Sequence, residues 1–147
     1  MKIESKNFKT GMRAILIISF LNIASPLLMS MGNRTNTQQE KANTLFDTWY
    51  LHTYVVNGEN YPPDKKENDD YLLFKEDLTF ISKSEGIEEK GTFLLNTNGA
   101  YVLMTSEKGE KIKAYIISIS EKSLILKYDI DELRDIEVHY NKNSSKS

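Results

Sequence analysis

Side chains that commonly carry catalysis are sparse in this 147-residue sequence. There is no cysteine, and there are only two histidines, His52 and His139. His52 falls on the opposite face of its segment from Trp49, and His139 alternates with apolar neighbours. A nucleophile needs a base within hydrogen-bond reach and a third group that orients the base, and no such Ser, His, Asp constellation is legible. We predict that both histidines lie at the surface and that the protein is not an enzyme.

Two acidic clusters supply carboxylate oxygens, which are the ligands that calcium prefers. The clusters comprise Asp64, Glu67, Asp69 and Asp70, and Asp129, Asp131, Glu132 and Asp135. Neither follows the twelve-residue calcium loop with its central glycine and terminal Glu, and Lys65 and Lys66 neutralise the first cluster. Such charge runs are usually solvated loops. Because no phosphate-binding glycine loop is present either, we predict no metal and no cofactor.

Any functional side chains must be positioned by short segments in which apolar and polar residues alternate. From Trp49, the only tryptophan, every second residue as far as Val55 is apolar or small, which is typical of a β-strand. The turn signal Asn57-Gly58 ends this run, and the segment from Glu59 to Asp70 is the longest irregular connection. Seven further strands are expected at 71–74, 78–82, 88–95, 101–105, 111–119, 123–129 and 136–140. Hairpin-length loops join them, and no helical period is evident.

About eight strands of this kind can close into a barrel or split into a sandwich. Consecutive hairpins without a long crossover favour an all-β, antiparallel, up-and-down barrel. The inward-facing set predicted from the alternation is Trp49, Leu51, Val55, Leu72, Phe74, Leu78, Phe80, Phe93, Leu95, Leu103, Tyr115, Ile117, Ile119, Leu124, Leu126, Ile136 and Val138. Because several of these side chains are bulky, they could fill the interior as a packed core or line a ligand cavity.

The beginning of the chain has the pattern of an export signal. Four basic residues precede an apolar run that starts at Ala14, and Pro26 and the small residues Ser30 and Gly32 follow it. We predict a signal peptide over 1–32, a flexible leader over 33–44, a barrel domain over 45–140 and a disordered tail over 141–147. The alternative is an uncleaved N-terminal anchor, since the apolar run approaches membrane-helix length. Without a cysteine to carry lipid, the protein is expected in the periplasm or outside the cell, with no membrane span after cleavage.

The charge balance excludes two classes of partner. Residues 33–147 carry 15 basic and 20 acidic side chains, with no basic stripe. A net negative body of this kind argues against nucleic acid and against an anionic membrane surface.

Several short motifs together resemble a known family. They are Asp47-Thr-Trp-Tyr-Leu51, Leu78-Thr-Phe80, Gly91-Thr-Phe93, Tyr115-Ile-Ile-Ser-Ile-Ser120 and Leu124-Ile-Leu126. This set resembles the bacterial lipocalin-like domain family, small exported barrels common in Bacteroidetes-type bacteria, over about Leu45 to Tyr140. The resemblance implies a barrel and the binding of a small hydrophobic molecule, and it does not imply an enzyme.

Two functions are therefore open. In the first, a small hydrophobic ligand enters a barrel mouth screened by the loop from Glu59 to Asp70. The candidate ligand-binding residues are Trp49, Tyr61, Tyr71, Phe80, Phe93 and Tyr115. In the second, the barrel is filled and its outer face binds another envelope protein. The outward residues that would do so are Tyr50, His52, Tyr54, Val102, Met104, Ile116 and Ile125.

Overall fold

The computed structural model describes residue 40 and residues 42–143. The predicted signal peptide (1–32), most of the predicted leader (33–44) and the last four residues of the predicted tail lie outside the described residues. Nine strands occur in the described part: β1 (Thr48–Val56), β2 (Glu59–Tyr61), β3 (Tyr71–Phe74), β4 (Thr79–Ser84), β5 (Ile87–Asn96), β6 (Tyr101–Ser106), β7 (Lys111–Ile119), β8 (Ser123–Tyr128) and β9 (Ile136–Asn141). Two 3₁₀ helices, Lys65–Glu67 and Asp131–Leu133, precede β3 and β9. No helix among these residues is both long enough and apolar enough to cross a membrane.

The strands form one antiparallel sheet that closes on itself. From β3 to β9 each strand pairs with the next one along the chain, β1 pairs with β3, and β9 returns to pair with β1. The short strand β2 is an extra partner of β1, beside residues 54–56. The prediction of an up-and-down barrel of eight strands is therefore confirmed, with β2 as a ninth strand outside the closed ring.

The core lies inside this ring, and the sequence alternation identifies most of it. Ten predicted inward residues are buried: Trp49, Leu51, Leu72, Phe74, Phe80, Phe93, Leu124, Leu126, Ile136 and Val138. Leu95 and Ile119 are partly buried and pack against them. Each of these strands keeps one apolar face, so period 2 is enough to orient it.

In β1 the alternation is interrupted, and the predicted orientation beyond that point is wrong. Its pairing with β9 shifts register between Leu51 and Thr53, as a β-bulge does. Tyr54 therefore points inward and is only 1% exposed, whereas Val55 does not belong to the core. The prediction that Tyr54 belongs to an outward aromatic row is wrong for the same reason.

Six predictions on β6 and β7 are also wrong, and one of them concerns Ile116, which packs against the core although it was predicted on the outer face. Val102 and Met104 are buried, so neither is an outer-face residue, and Leu103 lies on the outer face between them. On β7 it is Ala114 that is fully buried, while Tyr115 and Ile117 are exposed. Both faces of these strands carry apolar side chains, so hydrophobicity alone does not choose between the two orientations.

Leu78 is another predicted core residue that the structure places at the surface. It lies in the turn before β4, is 45% exposed and has a φ of 64°. This left-handed conformation is uncommon for leucine. Leu78 is therefore a turn residue rather than a strand residue.

One end of the barrel is closed by apolar packing, and we call it the closed end. Residues 42–45 form a helical turn that brings Leu45 against Trp49, and both side chains are fully buried. Trp49 Nε1 donates a hydrogen bond to the Leu45 carbonyl oxygen over 2.9 Å. Lys142 Nζ lies 5.2 Å from the centre of the indole ring and 2.8 Å from the Asp47 carboxylate, and this contact lowers the pKa of Asp47. The opposite end, where β4, β6 and β8 finish, is the open end.

Candidate functional site

The barrel interior contains a cavity of about 80 Å³ toward the open end. Its apolar walls are formed by Leu51, Leu72, Phe80, Met104, Ile112, Leu133 and Val138. Its mouth lies where β4 and β6 end and where β5 and β7 begin, and Ser82, Lys83, Ser84, Glu89, Ser106 and Glu110 line it. The cavity thus has an apolar surface over much of its depth, polar side chains at its entrance, and one buried polar wall.

Two acidic residues that the sequence placed in a solvated loop are in fact buried. Glu67 is 5% exposed and Asp70 is 4% exposed. Both oxygens of the Asp70 carboxylate accept from the backbone N–H of Glu85, over 2.9 and 3.1 Å. The Glu67 carboxylate accepts from the backbone N–H of Asp64 over 2.7 Å and from the Tyr54 hydroxyl over 3.2 Å. The prediction of a wholly solvated charge run is therefore wrong at these two residues, because the 3₁₀ helix and the start of β3 turn them inward.

A pair of tyrosines completes the polar wall of the cavity. The hydroxyl oxygens of Tyr128 and Tyr140 are 2.8 Å apart, and both side chains are buried. Tyr128 ends β8, and Tyr140 lies on the adjacent strand β9 opposite Leu124, so the two side chains meet along the length of the barrel wall. Asp70 and both tyrosines line the same cavity.

Burial raises the pKa values of the side chains that form this polar wall and of Tyr54 beside it. It raises the pKa of Asp70 to about 6, although the hydrogen bond from the Glu85 N–H acts in the opposite direction. Burial also raises the pKa of Tyr128 to about 12 and raises the pKa values of Tyr54 and Tyr140 above their ordinary range. The three phenols are therefore neutral at physiological pH, while Asp70 titrates just below neutrality.

The six predicted ligand-binding residues do not gather at one place. Phe80 lines the cavity, and so does Tyr71, whose hydroxyl donates to the Glu88 carboxylate over 2.6 Å. Trp49 is part of the closed end. Trp49 and Phe80 therefore lie inside the barrel, whereas the Tyr71 side chain follows the outward alternation of β3 and packs its ring against Tyr50, with ring centres 6.1 Å apart. Of these three side chains, only Phe80 faces the cavity from the interior.

The other three predicted residues lie elsewhere. Phe93 is buried and packs edge-on against Phe74, with ring centres 4.9 Å apart, outside the cavity lining. Tyr61 packs against the core from β2, and its hydroxyl donates to Glu59 over 2.9 Å. The inward orientation predicted for Tyr115 is wrong, because its ring lies on the outer surface against Tyr101.

The sequence reasoning missed Asp70, Tyr128 and Tyr140, although the strand period contained the signal. Residues two positions apart on a strand face the same side of the sheet. Tyr128 therefore faces inward like Leu126, Tyr140 like Val138, and Asp70 like Leu72. Each of these polar residues is the next inward-facing position beyond the row of apolar residues on its strand. Extending the rows past the last aliphatic residue would have placed all three inside.

The two histidines and the second acidic cluster lie outside the lining of the cavity. His52 is exposed, as predicted, and His139 is partly buried with its Nε2 3.1 Å from the Glu137 carboxylate. Arg134 pairs with Asp131 over 2.6 Å. No group of three or more His, Cys, Asp or Glu side chains within the described residues is arranged to hold a metal ion.

Comparisons with known proteins agree with this architecture. A family model described as a lipocalin-like domain matches residues 45–126. A crystal structure of a lipocalin-like protein from Bacteroides uniformis superposes with a TM-score of 0.50 and 17% identity, covering 68% of this chain and 99% of that one. A DUF4847 family protein from Bacteroides vulgatus superposes with a TM-score of 0.53 and 14% identity, covering 73% and 99%. No curated protein matches the chain in sequence.

Proposed function

The chain belongs to the lipocalin-like domain family, and we propose that it is an exported, non-enzymatic protein that binds a small hydrophobic ligand inside its barrel. The observation that carries this proposal is the interior cavity. Its walls are mostly apolar, and it opens at one end of a barrel whose other end is packed shut. Concave, mostly apolar sites with a few convergent polar groups are the usual form of small-molecule sites.

The size of the cavity limits the ligand. Its volume of about 80 Å³ is well below the roughly 300–1,000 Å³ typical of drug-sized ligand pockets. The part of the ligand that enters must therefore be slender, such as a short alkyl chain. Any larger part would remain at the mouth, beside Lys83, Glu89 and Glu110.

Native mass spectrometry of the gently purified protein tests this proposal. We expect an added mass that disappears on denaturation, or uptake of short-chain aliphatic compounds when they are supplied. Ile112→Trp places a larger side chain in the cavity and should abolish uptake. Ile117→Trp, on the outer face of the same strand, should not. Equal uptake by both variants would place binding outside the barrel and overturn the proposal.

Export is the second part of the proposal, and it is supported by the sequence of residues 1–32. We propose cleavage after Gly32 and residence in the periplasm or outside the cell. Mass spectrometry of the protein recovered from the cell envelope and medium should give an N-terminus at Asn33. An intact N-terminus retained in the membrane fraction would instead establish the anchor.

A second candidate function rests on the outer face of β5, β6 and β7. Leu94 and Ile117 are 64% and 50% exposed, and Leu94 pairs with Leu103 across the strands. Leu94 and Leu103 also border a surface hollow of about 400 Å³ together with Tyr101. Because apolar patches outside a core often mark interfaces, we propose another envelope protein as the alternative partner.

A pair of variants separates the two candidate functions. Leu94→Glu should abolish capture of the envelope partner and leave the uptake of short aliphatic compounds unchanged. Ile112→Trp should do the reverse. Unchanged co-purification of envelope proteins with Leu94→Glu would remove the second candidate.

A further inference from the structure

The Tyr128 and Tyr140 hydroxyls have one hydrogen more than their mutual hydrogen bond uses. Two phenols carry two donor hydrogens, and the 2.8 Å contact between their oxygens accounts for one. Among the described residues, neither hydroxyl has another hydrogen-bond partner. The two residues are only 6% and 7% exposed and line the cavity. The remaining hydrogen is therefore available to an acceptor that enters the cavity, and pairing it would be favourable because a buried donor left unpaired is costly.

Asp70 supplies the complementary group on the same cavity wall. Its two oxygens share one backbone N–H, that of Glu85. A carboxylate has about four lone-pair sites, so Asp70 retains the capacity to accept from a ligand. Asp70 is close enough to Tyr140 for its charge to raise the pKa of that phenol. The cavity thus presents one donor and one acceptor at its polar wall.

Only some chemical groups satisfy both. A carboxylate accepts hydrogen bonds but cannot donate one, and it would stand beside the charge of Asp70. An ammonium group donates but cannot accept, and a hydrocarbon does neither. A hydroxyl accepts from the tyrosine pair and donates to Asp70. We propose that the polar wall formed by Asp70, Tyr128 and Tyr140 selects an aliphatic alcohol, an inference that rests on the proposed function of the barrel.

A matched six-carbon series tests the selection at pH 7.5, with 1-hexanol, hexanoate, hexylamine and hexane as probes. The readout is the dissociation constant of each probe for the full chain and for the double variant Tyr128→Phe with Tyr140→Phe. Because hydrophobicity differs among the probes, the informative quantity is the change in affinity ratio between the two proteins. We expect the preference for 1-hexanol over hexane to fall by about tenfold in the double variant, since hydrogen bonds lost from a buried site each weaken binding severalfold.

Two further variants keep the test decisive. Tyr115→Phe removes a phenol from the outer surface and should leave every ratio unchanged. Asp70→Asn keeps an acceptor for the Glu85 N–H but removes the charge, so it should weaken the discrimination against hexanoate. This second readout stands even if the double variant does not fold.

The possible failures are distinguishable. If hexane and 1-hexanol bind with affinity ratios that none of the interior variants changes, the alcohol inference is overturned and the proposed function stands. If none of the four probes binds, both are overturned. If hexanoate or hexylamine is preferred in the wild-type protein, the ligand class is wrong.

Discussion

The two ends of the barrel bury very different kinds of side chain. At the closed end, Leu45 and Trp49 are fully buried, and the polar indole nitrogen is satisfied by a backbone carbonyl within the same short segment. Toward the open end, the barrel buries two carboxylates, and one of them, Asp70, lines the cavity together with the tyrosine pair. The closed end follows the ordinary rules of core packing, whereas the open end departs from them.

This difference indicates that the two ends have different roles, one in stability and the other in recognition. Burial of apolar surface stabilises the fold, while burial of a carboxylate opposes it unless the charge is compensated. Local departures of this kind are expected where structure is committed to recognition rather than to stability. The closed end should therefore dominate the free energy of unfolding, and the open end should dominate ligand selectivity.

Replacement of Trp49 by alanine should give the largest effect. It removes the central side chain of the closed end together with its hydrogen bond to Leu45. Large-to-small core substitutions of this type cost about 3–5 kcal/mol, so we expect a loss of that size in the free energy of unfolding, measured by urea denaturation. A loss below about 1 kcal/mol, no more than a typical single hydrogen bond contributes, would show that the closed end is not the main source of stability.

Gly91→Ala should cause the next largest loss of stability. A Cβ atom at this position would collide with the backbone oxygen of Thr105 and lie 2.8 Å from the Phe80 ring. Overpacking typically costs about 1–3 kcal/mol, and here backbone must also move. Gly109→Ala is the matched control, because its added Cβ meets open space and only its φ of 85° is unfavourable. Thermal unfolding in which both variants lose equal stability would contradict the role of close strand approach at Gly91.

Asp70→Asn should change the pH dependence of stability at the open end. The folded pKa of about 6 lies above the ordinary value of 3.8, so the wild-type protein gains stability from this group as pH falls from 6 toward 4. The asparagine variant should be the more stable protein at pH 7.5, by at most about 3 kcal/mol, and the difference should shrink below pH 6. The charges of Glu67, Lys83 and Glu85 also act on the Asp70 carboxyl, and these three residues are present in both proteins.

The measurement is the difference in unfolding free energy between the two proteins from pH 4 to 8. A difference that stays constant across this range would show that Asp70 does not titrate with a raised pKa. A difference that grows as the pH falls would show that folding lowers the pKa of Asp70 instead of raising it.

Leu78→Asn should have the smallest effect and should sharpen the comparison. Leu78 adopts a φ of 64° in an exposed turn, a conformation that asparagine tolerates better. We expect an increase in unfolding free energy of up to about 1 kcal/mol, with no change in ligand affinity. An altered affinity, measured with the same short-chain probes, would show that this turn is coupled to the open end.

The barrel was predictable from the sequence because turns and alternation recur at hairpin spacing along the whole domain. The faces of β6 and β7 were not predictable, since Leu103, Tyr115 and Ile117 are as apolar as the residues that the structure buries. The bulge in β1 could not be read either, because it depends on the register with β9. The buried position of Asp70 depends on the 3₁₀ helix before β3, which the charged composition of that loop concealed.

Met104 offers the most direct test of the central claim, that the interior cavity binds a slender apolar ligand. It is one of five methionines, it is buried, and its side chain lines the cavity. In protein labelled with ¹³C at the methionine methyl groups, its signal is identified as the one that Met104→Leu removes. Addition of 1-hexanol should shift this signal and give nuclear Overhauser effects from the alkyl chain to the Met104 methyl group. An unmoved Met104 signal at saturating alcohol would show that the cavity stays empty of ligand and would contradict the account.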